Sequence, residues 1–161
     1  MFRRLLRIVL VLAALKAVGA VLTRRLNSGL EVDANEFSIA AAFGGIDRES
    51  RATALRRGDV LAFCGGAQLD LRDAVIDPSG ADLRLRACLG GIQVVVPDTW
   101  RITVEPTVIG GGVELSVAAE EDLPHDAPSL RVEATAMLGG IHVTTTLDDD
   151  DEDDTEGDSD E

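Results

Sequence analysis

From Phe37 onward the chain alternates apolar and polar residues in short runs, and each run breaks at a glycine pair. The segments "AAFGGIDRES", "AFCGGAQLDL", "ACLGGIQVVV", "VIGGGVELSV" and "AMLGGIHVTT" are five versions of one pattern. Their pairs are Gly44-Gly45, Gly65-Gly66, Gly90-Gly91, Gly111-Gly112 and Gly139-Gly140, and successive first glycines lie 21, 25, 21 and 28 residues apart. Periods of this size mark stacked repeat architectures with loops of variable length.

The columns that flank the pairs are chemically consistent. Directly after them stand Ile46, Ala67, Ile92, Val113 and Ile141, all apolar. The next column is polar: Asp47, Gln68, Gln93, Glu114 and His142. The third is Arg48, Leu69, Val94, Leu115 and Val143, apolar in four of five units. Upstream, Leu83-Leu85-Ala87, Trp100-Ile102-Val104 and Leu130-Val132-Ala134 keep the same alternation. Period two is the signature of a half-buried strand, so each unit reads as strand, glycine corner, strand, loop.

Glycine suits such a corner because it tolerates positive φ and lets a neighbouring backbone approach closely. Gly65→Val or Gly66→Val is therefore expected to destabilise the fold. A single unit cannot close a core, whereas stacked units bury their apolar side chains against one another. The pattern predicts an all-β chain: a short single-domain β-solenoid, parallel β-helix-like, of about five glycine-cornered units. Loop chemistry agrees. "DPSGAD" (residues 77–82) is a turn, Pro97 ends a strand, and "EEDLPHDAPS" (residues 120–129) is a longer polar loop with two prolines.

The N-terminus differs. Arg3, Arg4 and Arg7 precede the apolar run Ile8 to Leu22, which is broken by Lys16 and closed by Arg24 and Arg25. Counted from Leu5, the block has 18 residues, near the lower limit for crossing a bilayer. Lys16 weakens insertion by roughly 2.5–3.5 kcal/mol. Three arrangements fit this hydrophobic helix. It is a short membrane anchor, a cleaved signal peptide with Val18, Gly19 and Ala20 near the cut, or a helix lying in the interface. Basic residues at both ends leave its orientation open. The expected division is a membrane segment over residues 1–29, a β domain over 30–147, and an acidic tail over 148–161.

Charge follows that division. The net charge is -14, and the tail carries 11 acidic residues among its 14 and no basic one. Removing those 11 leaves 18 acids against 15 bases, so the rest of the chain is near neutral. The balance argues against nucleic-acid binding through a broad basic surface. The tail has too little apolar area to fold on its own and reads as a solubilising appendage or a strip for a basic partner. At 3% aromatics and 45% hydrophobic residues, the core is aliphatic.

Chemical motifs are sparse. The glycine pairs lack the spacing of a P-loop or a dinucleotide fingerprint, and no helix follows them. The third glycine and recurrent aspartate of a calcium β-roll are absent too. His125 and His142 read as surface residues, and Cys64 and Cys88 as small apolar-site residues that stay unpaired. Trp100, in phase with Ile102 and Val104, reads as core or as a solenoid cap. The charged group Asp70, Arg72 and Asp73 satisfies a strand end by ion pairs or forms a recognition surface with Gln68, Gln93 and Glu114. No nucleophile, base and oxyanion site converge, so neither catalysis nor a cofactor or metal is expected.

The run Gly65 to Leu115 carries three marks together: a glycine pair with "LDLRDA" (Leu69 to Ala74), a glycine pair with "VVVPDTW" (Val94 to Trp100), and a glycine cluster with "VEL". "AAFGGIDRES" fits as an opening unit. The chain over about residues 37–117 thereby resembles the C-terminal domain of the LiaF-like, cell wall-active antibiotics response proteins. The resemblance implies a small all-β domain joined to bacterial membrane segments. It also implies non-enzymatic negative regulation of a sensor histidine kinase in the envelope-stress response. Here at most one span precedes the domain, and a fifth glycine unit and the acidic tail are added.

The expected function is a membrane-tethered interaction module in envelope-stress signalling or envelope homeostasis, held at the cell membrane through residues 5–22, single-pass or peripheral. Unpaired cysteines and the resemblance favour the cytoplasmic face, whereas a single span with its N-terminus inside would export the domain. The alternative is a bactofilin-like structural solenoid that self-associates end to end at the membrane. The like charges of the tail oppose stacking at that edge.

Overall fold

The computed structural model describes residues 35–145. The hydrophobic N-terminal helix and the acidic tail expected from sequence lie outside the described residues. Eight strands form: β1 (Glu36–Ala42), β2 (Gly45–Glu49), β3 (Arg57–Phe63), β4 (Gly66–Asp70), β5 (Ala81–Cys88), β6 (Gly91–Val95), β7 (Arg101–Ser116) and β8 (Ser129–Thr144). The only helical element among these residues is a 3-10 turn at Glu120–Asp122. The protein is all-β, its strands pair in parallel, and they make one nearly closed, barrel-like sheet in the order β1-β3-β5-β8-β6-β4-β2, with β7 on β8.

The sheet closes because each unit contributes a strand to two faces that meet at the glycine pair. In β7 and β8 the strand runs unbroken through the corner. The register is columnar. Ile39, Val60, Leu85 and Ala134 align on one face, and Ala67, Ile92, Ile141 and Val113 on the other. Next to the corner the inward column is Ala41, Ala62, Ala87 and Ala136, each buried. The two faces converge there, and a methyl group fills the remaining space. Trp100 is buried too.

The units do not stack in chain order. β8 pairs with both β5 and β6 and also with β7, so the fifth unit lies between the third and the fourth. The fourth is left at the edge. Pro106 supplies a physical reason: it has no N–H for a ladder bond, and such a strand is tolerated at an edge. At the opposite edge, Arg48 occupies the inward column held elsewhere by Leu69, Val94, Val143 and Leu115. A charge on that column suits an outermost strand.

The two glycines of a corner have different work. A Cβ on Gly65 would overlap the carbonyl oxygen of Gly44; the same holds for Gly90 on Gly65, Gly139 on Gly90 and Gly111 on Gly139. The first glycine is thus required by direct backbone stacking. The corner ladder is hydrogen-bonded as well: the amides of Gly66, Gly91 and Gly140 donate to the carbonyls of Gly44, Gly65 and Gly90 at 2.9–3.0 Å. The positive φ falls elsewhere. It belongs to the residue before the pair, at Phe43 (55°), Cys64 (50°), Leu89 (54°) and Leu138 (53°). Only the fourth unit places it on glycine, at Gly110 and Gly111.

The second glycine meets no such limit, since a Cβ on Gly66 would find nothing within 4 Å. The two positions that sequence treats alike therefore separate. Gly65→Ala is expected to cost about 3 kcal/mol through overpacking against backbone. Gly66→Ala is expected to change stability by less than about 1 kcal/mol, in the stabilising direction as the unfolded chain loses freedom. Thermal and urea unfolding of the two variants beside wild type measures the difference; equal losses would contradict the close approach.

Candidate docking surface at the glycine corner

Before three of the pairs stands an apolar yet exposed residue, Phe43, Leu89 or Leu138, and before a fourth the half-buried Cys64. By alternation, the residue after buried Ala41, Ala62, Ala87 or Ala136 points outward, which places Ala42, Phe63, Cys88 and Met137 on the surface. Ile109 joins them through its register with Met137. The left-handed residues Phe43, Cys64, Leu89 and Leu138 form a second row beside them. Phe43 and Phe63 are each 40% exposed, Leu89 51% and Leu138 69%. The Phe43 and Phe63 rings meet edge to face, with centroids 5.7 Å apart. A ridge of large apolar side chains thus crosses the whole stack.

Holding a bulky residue in the left-handed region costs roughly 1–2 kcal/mol. At Phe43, Leu89 and Leu138 nothing is gained in the core, because these side chains face solvent. Backbone strain of this kind collects where a surface is used, and contiguous exposed apolar area is itself a mark of an interaction site.

Beside the ridge lies an open groove of about 1110 Å³ lined by the second glycines, Gly45, Gly66, Gly91, Gly140 and Gly112, and by the apolar column that follows them, Ile46, Ala67, Ile92, Ile141 and Val113. Asp47, Gln68, Gln93, His142 and Glu114 line its polar wall. The structure therefore brings Gln68, Gln93 and Glu114 together. His142 shares a 3.2 Å hydrogen bond with the Ser116 hydroxyl.

Asp70, Arg72 and Asp73 are not in the groove. They close the far end of β4, where the Arg72 guanidinium grips the Asp70 carboxylate at 2.7–3.1 Å and the Arg72 amide donates to it at 3.0 Å. That grip holds Asp70 below the usual carboxylate range. Asp73 lies 3.8 Å from Arg51. His125 is exposed in the loop after β7. Cys64 and Cys88 are free, in adjacent units and in different columns.

The ridge occupies the outward columns, which the search for a buried face does not reach. Its signal in the sequence is an apolar residue that recurs in an outward column, whereas period-two alternation marks only the buried face. Among the described residues no cluster of histidine, cysteine, aspartate and glutamate could hold a metal ion. No helix among them is long and apolar enough to cross a membrane.

The family model for the cell wall-active antibiotics response protein LiaF, C-terminal, matches residues 42–135. The chain belongs to the LiaF-like C-terminal family. The LiaF-like match runs from the first corner into β8, so it covers four corners and most of the fifth unit's first strand. Neither a curated protein nor a solved structure matches the sequence. LiaF-like membership implies a part in regulating the cell-wall stress response. The family is one of membrane-associated regulators that work with partners and is not known for enzymes.

Among the described residues, Asp77 is a carboxylate fixed in a turn. Asp77 accepts from the Ser79 hydroxyl at 2.6 Å, the Ser79 amide at 3.0 Å and Arg56 Nε at 2.9 Å, inside the turn closed by Gly80. The Ser79 bonds, followed by Arg56, pull its pKa from 3.8 to about 2. A depressed carboxylate stabilises the fold fully above its ordinary pKa, and this is lost as pH falls from about 4 toward 2. Asp77→Asn is expected to flatten this part of the acid limb. Thermal unfolding across that window, variant against wild type, reads the effect; parallel curves would show that the turn does not hold the charge.

Proposed function

We propose that this LiaF-like chain is a membrane-tethered, non-enzymatic regulator of the envelope-stress response, and that it works by docking a sensor kinase on the ridge and groove of the glycine corner. The family match over residues 42–135 carries the regulatory reading. The corner supports the docking reading. An apolar ridge beside an open, glycine-lined strip with a polar wall has the composition of an interface with an apolar core and a polar rim. The glycine lining lets a partner's backbone come close. The occupant is an apolar segment of the kinase, matched to Phe63, Leu89, Met137 and Leu138.

The domain is a short β-solenoid of five glycine-cornered coils over residues 30–147. Residues 1–29 supply the membrane segment, with 5–22 as the tether, and 148–161 form a solvated acidic appendage. The body sits on the cytoplasmic side, where its two free thiols stay reduced.

Two experiments separate the layers of this proposal. Deleting the gene is expected to alter transcription of envelope-stress genes on exposure to a cell-wall antibiotic; an unchanged response rejects the regulatory function. The full-length double variant Phe63→Ser/Leu89→Ser is expected to keep its stability within about 1 kcal/mol, because both side chains face solvent. It is expected to reproduce the deletion phenotype. A wild-type response from that folded variant rejects the ridge as the docking site while leaving the regulatory function standing.

A further inference from the structure

The two ends of the stack are built differently. At the β1/β2 end, the edge carries Glu36, Asp47, Arg48 and Glu49. At the other end, β7 has sixteen residues and pairs only with β8, and among the described residues no strand pairs with its outer edge. Its inward column is Ile102, Val104, Pro106 and Val108, aligned with Leu130, Val132, Ala134 and Ala136. Those four partners in β8 are 0–1% exposed, yet Val108 is 46% exposed. Ile102 and Val104 are half-buried. Among the described residues the core is open at this end, and an uncovered strand edge is a template for pairing.

Head-to-tail stacking does not fit. Continuing the register onto β1 and β2 of another copy would set Glu114 on Asp47 and Leu115 on Arg48, and would bring Pro106 against β1. Like charges and a buried cation oppose it.

A two-fold arrangement does fit. When β7 meets the β7 of a second copy antiparallel, opposed residues share a face, so the axis must pass through a residue for apolar to oppose apolar. An axis at Thr103 sets Ile102 opposite Val104 and Arg101 opposite Glu105, each twice. Neighbouring axes at Ile102 or Val104 leave both charges facing threonines, and an axis at Glu105 opposes glutamate to itself. Arg101 is held at this edge, its Nη2 donating to the Pro124 carbonyl at 3.1 Å. Pro106 then ends a five-residue ladder. We infer that the protein forms a closed two-fold dimer through β7, residues 101–105, and not a filament. The ridge and groove are not consumed by this contact.

Opposed residues in an antiparallel pair lie about 4.5–5.5 Å apart at Cα, within the roughly 4.4–6.8 Å of a disulfide. The test uses the full-length chain in isolated membranes with Cys64 and Cys88 changed to serine. Thr103→Cys is expected to become mostly disulfide-linked dimer under mild oxidation, while Ser38→Cys on the opposite edge stays monomeric. Adding Glu105→Arg is expected to abolish the Thr103→Cys link, and adding Arg101→Glu to that to restore it. A Thr103→Cys chain that stays monomeric overturns the dimer, and so does equal linking at Ser38→Cys. A ladder of oligomers from the pair Ser38→Cys/Glu105→Cys establishes head-to-tail stacking instead. Indifference to Glu105→Arg overturns the register at Thr103.

Discussion

The contact on which this structure depends is backbone against backbone: the α-carbon of one corner's first glycine lies on the carbonyl of the first glycine beneath it. There is no room for a Cβ on Gly65, Gly90, Gly139 or Gly111, so each of these corners must present glycine to the backbone it lies on, whereas Gly44 at the open end has free space. That condition sets the register. A slip of one residue would place a side chain where none fits and would turn every apolar column toward solvent. The aliphatic core follows from the register, including the alanine column where the faces converge. So do the groove and the ridge, because identical columns in each unit repeat whatever chemistry one unit carries.

The same constraint explains how exposed, strained residues are tolerated. Phe43, Cys64, Leu89 and Leu138 hold left-handed backbone that a free chain would avoid. The amides of Phe43, Cys64 and Leu89 donate to the carbonyls of Phe63, Cys88 and Met137 at 3.0–3.1 Å, so the ladder fixes the conformation from outside. Surface ion pairs such as Arg84 with Glu133 and Arg86 with Asp59 decorate the outer face. Ion pairs this exposed to solvent are too weak to set the stacking.

Much of this was legible in the sequence. Five glycine pairs with period-two flanks give the strands, the corner and the inward columns, and Trp100 falls in phase with the core. Sequence left two reasons for the glycines, positive φ or close backbone approach; close approach holds at Gly65, Gly90, Gly111 and Gly139, while positive φ falls on the residue before the pair in four units and on glycine only in the fourth. The interaction surface was sought among polar residues. Gln68, Gln93 and Glu114 do share the groove wall, but Asp70 and Arg72 are spent on closing a strand. The order of units was hidden for a different reason. Periodicity reports which face a residue occupies, not which strand lies beside it; that depends on pairings between distant segments, such as Arg84 with Glu133 across 49 residues. Pro106 was the one local hint.

The placement of the last unit changes what a repeat means in this protein. In a sequential stack the final repeat can be lost and the rest stands. Here the final repeat is the keystone: among the described residues, β8 alone joins the fourth unit to the first three. Until β8 has emerged from the ribosome, β7 has no partner and the third unit has an open face. Synthesis from the N-terminus therefore cannot assemble the domain coil by coil, and the completed core appears only when the end of the β domain is in hand. A chain shortened before Ser129 loses the centre of its sheet, not its margin. The five similar units behave as one cooperative body whose integrity is decided last.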